Sequence, residues 1–143
     1  VVVIEAQERT RISNPTGRQE LRLAGSIIDP VPLDPAVARD VNSAFLTRQV
    51  FRGLTRFDEN LEPVPELAQR IEISADGLTY LFQLAENARF ADGSPITAQD
   101  VVYSITRALD PATAEEAGAA LAGPSYLADI AGAGALIRGE TDQ

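Results

Sequence analysis

Between Arg70 and Leu84 apolar and polar residues alternate. Ile71 and Ile73 stand against Arg70 and Glu72, and beyond Ser74-Ala75-Asp76-Gly77 the residues Leu78, Tyr80, Phe82 and Leu84 stand against Thr79 and Gln83. A period of two sends successive side chains to opposite faces of an extended strand, and the Asp-Gly step between the runs supplies the turn of a short hairpin. The spacing therefore predicts an antiparallel pair, apolar on one face and mostly polar on the other, as in a sheet covered on one side.

Helix signals flank this hairpin. Asp40 is placed to cap a helix running to about Thr55, because its carboxylate can accept the free amide protons of a first turn. In it Val41, Ala44, Phe45, Leu46, Val50, Phe51 and Leu54 point almost all the way round the axis, so the helix is expected to be largely buried. Thr97-Ala98-Gln99-Asp100 reads as a capping box ahead of a stripe formed by Val101, Val102, Ile105, Ala108 and Leu109, and Asp110-Pro111 is the stop. From Ala112 onward the Ala- and Gly-rich sequence predicts two short helices separated by Gly123-Pro124, with Glu115-Glu116 at the head of the first.

Weaker elements fill the rest. Leu21 to Ile28 reads as a strand broken by Asp29-Pro30, and residues 1–20 read as a tether. Asp58-Glu59-Asn60 is a turn, Pro63 and Pro65 bracket a break before Glu66 to Ala68, and Ala88-Arg89-Phe90 is a short strand ending at Asp92-Gly93. The fold class that results is α+β, a small, mainly antiparallel sheet with flanking helices. Phe45, Phe51, Tyr80, Phe82 and Phe90 are assigned to its core.

Composition removes several function classes. The 143 residues are 45% apolar and 23% charged, the balance of a folded domain. Apolar runs fall well short of the roughly 20 residues that span a bilayer. A net charge of -9 repels nucleic-acid backbones and anionic membranes. With no Cys and no His there is no disulfide, thiolate site, zinc site or Ser-His-Asp chemistry. No stretch has the spacing of a calcium loop or a phosphate loop. Asp58, Asp76 and Asp92 sit in turns, where short carboxylates bond their own backbone, and this reading outweighs acid-base catalysis. Arg39, Asp40 and Asn42 open the first helix after a proline-rich approach, and loops carried on a rigid scaffold are where ligand contacts concentrate. Capping plus a surface charge is the plainer account of them.

The order of segments carries more information than any one residue. Leu33-Asp34-Pro35, then VFRGLTRFDENLEPVPELAQRIEISADGLTYLFQL (50–84), then ARFADGSPITAQDVVYSITRALDP (88–111), resembles the family 5 extracellular solute-binding proteins, which include oligopeptide-, dipeptide- and nickel-binding proteins. The similarity runs from about residue 21 to 111 and more loosely to about 140.

The resemblance implies the N-terminal subdomain of a two-lobed fold of the periplasmic-binding-protein type II-like kind. Residues 1–20 would be the tether, and 21–143 the N-terminal part of lobe one, a first strand plus an inserted sheet-and-helix subdomain. The second lobe is absent from a chain this short. It further implies no enzyme, no cofactor and no metal, but capture of a peptide or similar small solute by the full-length parent through hinge closure. The solute would pass to the permease of an ABC importer. The setting is extracytoplasmic, either periplasmic or on a cell-surface lipoprotein, without nucleic acid and with membrane association only through a lipid anchor or the permease. By resemblance Arg39, Asp40 and Val41, with Asn42 beside them, border the solute, and Ala117 lies near its edge. The alternative is a stand-alone acidic protein-interaction module without solute binding. A carboxylate hydrolase, which needs two acids facing across a cleft, ranks third.

Overall fold

A computed structural model describes residues 33–140, all within one compact unit. The expected tether and the strand at 21–28 lie outside the described residues. Among the described residues, four strands and five helices follow in the order α1 (Val41–Val50), β1 (Thr55–Phe57), β2 (Pro63–Pro65), β3 (Ala68–Ile73), β4 (Tyr80–Leu84), α2 (Ala98–Leu109), α3 (Pro111–Ala117), α4 (Pro124–Leu127) and α5 (Ala133–Ile137). The class is α+β, and both sheets are antiparallel.

The expected hairpin forms as β3 and β4. Ile73 pairs with Tyr80, Glu72 with Leu81 and Ile71 with Phe82, and a register shift falls between Ala68 and Arg70. Asp76 ties the turn together by accepting from the Leu78 N–H at 3.0 Å and the Ser74 hydroxyl at 2.5 Å. Gly77, at φ 72°, takes the left-handed conformation that a side chain would disfavour.

Pro63 and Pro65 do not break the chain; with Val64 they form β2, paired to β1. The ladder explains why. The Asp58 N–H donates to the Glu62 carbonyl and the Glu66 N–H to the Leu54 carbonyl. Bonded pairs alternate in an antiparallel ladder, so the prolines opposite Phe57 and Thr55 occupy the positions that need no N–H.

Around α2 the helices pack on one another. The Thr97 N–H and hydroxyl both donate to the Asp100 carboxylate, at 2.7 and 2.6 Å, and the capping box starts the helix as expected. Asp110 closes α2 and caps α3, accepting from the Ala112 N–H at 2.9 Å, with Pro111 in the first turn where its missing N–H costs nothing. α3, α4 and α5 all contact α2. A Cβ on Gly123 would stand 2.1 Å from the Ala108 carbonyl oxygen, so glycine is what lets α4 begin against the end of α2.

Three short helices replace the two expected after Ala112, because Gly132 in the left-handed conformation starts a further one. Glu115 and Glu116 lie toward the end of α3 and not at its head. The strand expected at 88–90 shrinks to one bridge between Arg89 and Pro95 across the Asp92-Gly93 turn.

Among the described residues the buried apolar ones are Ala36, Val37, Leu67, Ala68, Ala88, Leu109 and Ala133. This core differs from the expected one. Phe45, Phe51, Tyr80 and Phe90 are exposed, with 55% of Tyr80 open to solvent, and Phe82 is half-buried. α3, α4 and α5 pack on α2 and the strands on each other, and the described residues leave these rings uncovered.

α1 also departs from expectation. It ends at Val50 and turns its polar side inward, with Ser43 and Thr47 buried while Val41 is 85% and Phe45 51% exposed. Phe51 leaves the helix in an extended conformation and the chain goes on into β1, which removes Leu54 from the helix. Burying Ser43 and Thr47 costs little because each is satisfied locally. The Thr47 hydroxyl donates to the Ser43 carbonyl at 2.9 Å, and the Ser43 hydroxyl to the Asp40 carboxylate.

Candidate functional site

The loop before α1 is fixed from both sides. Asp34 accepts the Ala36 N–H at 3.0 Å on Oδ1, and its carbonyl accepts the Val37 N–H. Its two carboxylate oxygens also meet Arg107, in the last turn of α2, as a fork at 2.8 and 2.6 Å. A second tie runs from the Ala122 N–H to the Ala36 carbonyl at 2.7 Å. The hydrogen bond from Arg107 is the main reason the Asp34 carboxyl is held below its ordinary range, with partial burial working the other way. Arg107 is raised correspondingly, first by the same bond.

This anchored loop presents residues 39–42. Asp40 accepts the N–H groups of Asn42 and Ser43, both at 2.9 Å, and the Ser43 hydroxyl. These bonds, led by the hydroxyl, lower its pKa. Asp40 is therefore bound to the helix start, while Arg39, Val41 and Asn42 are exposed around it, and Arg39 has no carboxylate partner among the described residues. Ala117, the fifth candidate, is exposed at the end of α3. Among the described residues no hydrogen bond joins it to the other four. The four are contiguous in sequence, and the fifth is carried by a different helix.

Removing the cap should loosen only the start of α1. In Asp40→Ala, hydrogen exchange at the Asn42 and Ser43 amides should accelerate by roughly five- to tenfold. Amides in α2 should keep their rates, and unchanged rates at Asn42 and Ser43 would show the cap to be unimportant.

Four turn and cap aspartates are each committed to local bonds. Asp58, Asp76, Asp92 and Asp100 are all lowered by bonds from neighbouring backbone and hydroxyl groups, which keeps them ionised and occupied. Asp58 takes the Asn60 and Glu62 N–H groups, and Asp92 takes the N–H and hydroxyl of Ser94. No group of three metal-ligating side chains occurs among the described residues, and no helix there is long and apolar enough to cross a membrane.

A shallow groove of about 250 Å³ lies between α2 and α3, lined by Tyr103, Arg107, Asp110, Thr113 and Glu116 among others. It contains none of the five candidates, and its one cation already holds Asp34. The Asp34–Arg107 fork is the feature that sequence reasoning missed. Leu33-Asp34-Pro35 was singled out as a segment, but nothing in the pattern pointed to a partner 73 positions away.

The family model described as bacterial extracellular solute-binding proteins, family 5 Middle, matches residues 62–136. The chain is 40% identical over 112 residues to the periplasmic murein peptide-binding protein MppA of Escherichia coli, covering 78% of this chain and 20% of that protein. It is 42% identical over 83 residues to the oligopeptide-binding protein OppA of Bacillus subtilis, covering 58% of this chain and 15% of that one. Among solved structures, that of E. coli MppA aligns with a TM-score of 0.65 at 39% identity, over 78% of this chain and 21% of the other. Haemophilus influenzae OppA in complex with RPPGFSPFR aligns at 0.68 and 29% identity, over 77% and 21%. The matched stretch thus spans only 15% to 21% of the length of these relatives.

Proposed function

The chain belongs to the bacterial extracellular solute-binding proteins, family 5, a family of binding proteins and not of enzymes, and from this we propose that it is the N-terminal part of the receptor of an ABC importer for peptides or similar small solutes. In this reading residues 1–20 are a tether and 21–143 belong to the first lobe, whose further part and partner lobe lie outside the chain. The receptor works outside the cytoplasmic membrane, in the periplasm or as a surface lipoprotein, and hands its solute to the permease.

One observation carries the reading: the matched stretch is shared, in sequence and in fold, with proteins named for peptide binding. Physical arguments add to it. A lobe that closes on a solute needs a stiff rim, and the bonds from Arg107 and Ala122 stiffen the loop before α1. Arg39, Val41 and Asn42 would then meet the solute with a charge, an apolar surface and an amide. Asp40 would act by fixing the loop, since its oxygens are already bonded. Ala117, small and exposed, would border the site from α3. Solute occupancy would shift the parent toward its closed form, which the permease would distinguish from the open one.

Calorimetric titration tests the division of labour. Mixed di- to pentapeptides should give no heat of binding with the 143-residue chain and saturable binding with a longer gene product containing it. Tight binding by the 143-residue chain alone would contradict the two-lobe argument. A reading frame that ends near Gln143 would instead favour an acidic module that docks another protein.

A further inference from the structure

Two ties to the loop before α1 issue from one place. Arg107, in the last turn of α2, donates to both carboxylate oxygens of Asp34, and the Ala122 N–H donates to the Ala36 carbonyl. Ala122 precedes Gly123, the residue that sits so tightly on Ala108 that a Cβ there would stand 2.1 Å from its carbonyl oxygen. Arg107 and Ala108 are consecutive. The last turn of α2 therefore grips the loop directly through a side chain and indirectly through the backbone that enters α4. Both partners of each tie lie within the described residues.

Little freedom is left beyond the ties. Ala36 and Val37 are buried, and their N–H groups donate to the Asp34 carboxylate and carbonyl at 3.0 and 3.2 Å. Asp34 thus accepts from two amides of its own loop and from both arms of one guanidinium. Only Ala38 separates Val37 from Arg39, and Asp40 is itself bound to the Asn42 and Ser43 amides. From Arg107 to the exposed residues Arg39, Val41 and Asn42 there runs a short path of bonded or buried groups.

We propose that Arg107 is a positioning residue for the solute site: its guanidinium is spent on Asp34, and through Asp34 it sets the affinity of the segment that carries Arg39, Val41 and Asn42. This inference rests on the solute-binding reading and deepens it. A segment already held in the geometry that solute requires adds no ordering cost at binding. When the hold is lost, apparent affinity falls with the fraction of molecules in which the segment is in place. Arginine suits the task, because its planar fork meets both carboxylate oxygens at once and fixes direction as well as distance.

Two measurements test the proposal. In the 143-residue chain, Arg107→Gln should speed amide exchange at Ala36, Val37 and Ala122 by roughly fivefold or more, while amides of the β3–β4 ladder keep their rates. In a longer gene product containing the chain, calorimetric titration with mixed di- to pentapeptides should give Arg107→Gln an apparent dissociation constant roughly tenfold higher. Arg107→Lys, which keeps the charge without the fork, should fall between the two at roughly threefold, and it carries the expectation alone if Arg107→Gln fails to fold. Arg70→Gln makes the same chemical change in the exposed pair with Glu72, and Leu67→Val trims a buried side chain just before β3. Both should bind as the parent sequence does, whereas equal losses in Leu67→Val and Arg107→Gln would reduce Arg107 to a structural role and overturn the proposal. Unchanged exchange at the three amides overturns it, as does unchanged affinity in Arg107→Gln while the parent product binds, and the solute-binding reading then stands. A parent product that binds no peptide overturns both.

Discussion

Replacing Leu109 with alanine should lower the free energy of unfolding by about 2–5 kcal/mol. Leu109 is 2% exposed at the end of α2, the helix that α3, α4 and α5 all touch. Among the described residues, four of the seven buried apolar ones are alanines, leaving Val37, Leu67 and Leu109 as the larger ones. A core so short of bulky side chains has little material with which to fill a hole, and domains of this size have only about 5–15 kcal/mol in hand. Urea titration should show the midpoint falling with the slope unchanged. Leu109→Met, which keeps most of the volume, should cost under about 1.5 kcal/mol. Equal losses for Met and Ala would show that Leu109 does not act through packing.

Cutting the tie between Asp34 and Arg107 should have the next largest effect, a loss of about 1–3 kcal/mol in Asp34→Ala at neutral pH. The figure sits between the values for exposed and buried pairs because the two side chains keep 30% and 33% of their surface open. Arg107→Lys should recover only part of the interaction, since an ammonium cannot offer the planar fork that meets both oxygens. The pH dependence has a definite sign. Folding lowers the Asp34 pKa, so the stabilisation is complete above the ordinary value of 3.8 and drains away as pH falls through the lower folded value. Stability followed by urea titration from neutral to strongly acid solution should therefore fall less steeply in Asp34→Ala than in the parent sequence. Parallel acid limbs would mean that the pair contributes nothing.

What could be read from the sequence was local. The β3–β4 hairpin, the box at Thr97 and Asp100, and the Asp-led turns are each specified within a few residues, and all three formed. Long-range facts were not legible. A helical wheel shows that α1 is rich in apolar residues, but it cannot say which side the rest of the chain will cover, and Ser43 and Thr47 turned inward. Two prolines two residues apart resemble a break, because their harmlessness depends on which ladder positions they occupy opposite β1. Of the candidate site, the start of α1 was legible through its cap. The anchor that holds its loop joins positions 34 and 107, and no periodicity links those.

The aspartates in the turns and caps have a consequence for how this surface meets other molecules. Asp34, Asp40, Asp58, Asp76, Asp92 and Asp100 each have an oxygen engaged by amide, hydroxyl or guanidinium groups of the same chain. Their negative field extends into the solvent, while much of their capacity to accept a proton donor is already taken at home. A cationic molecule drawn toward one of these six carboxylates would find much of its bonding capacity already used, so their charge bears on encounter more than on capture.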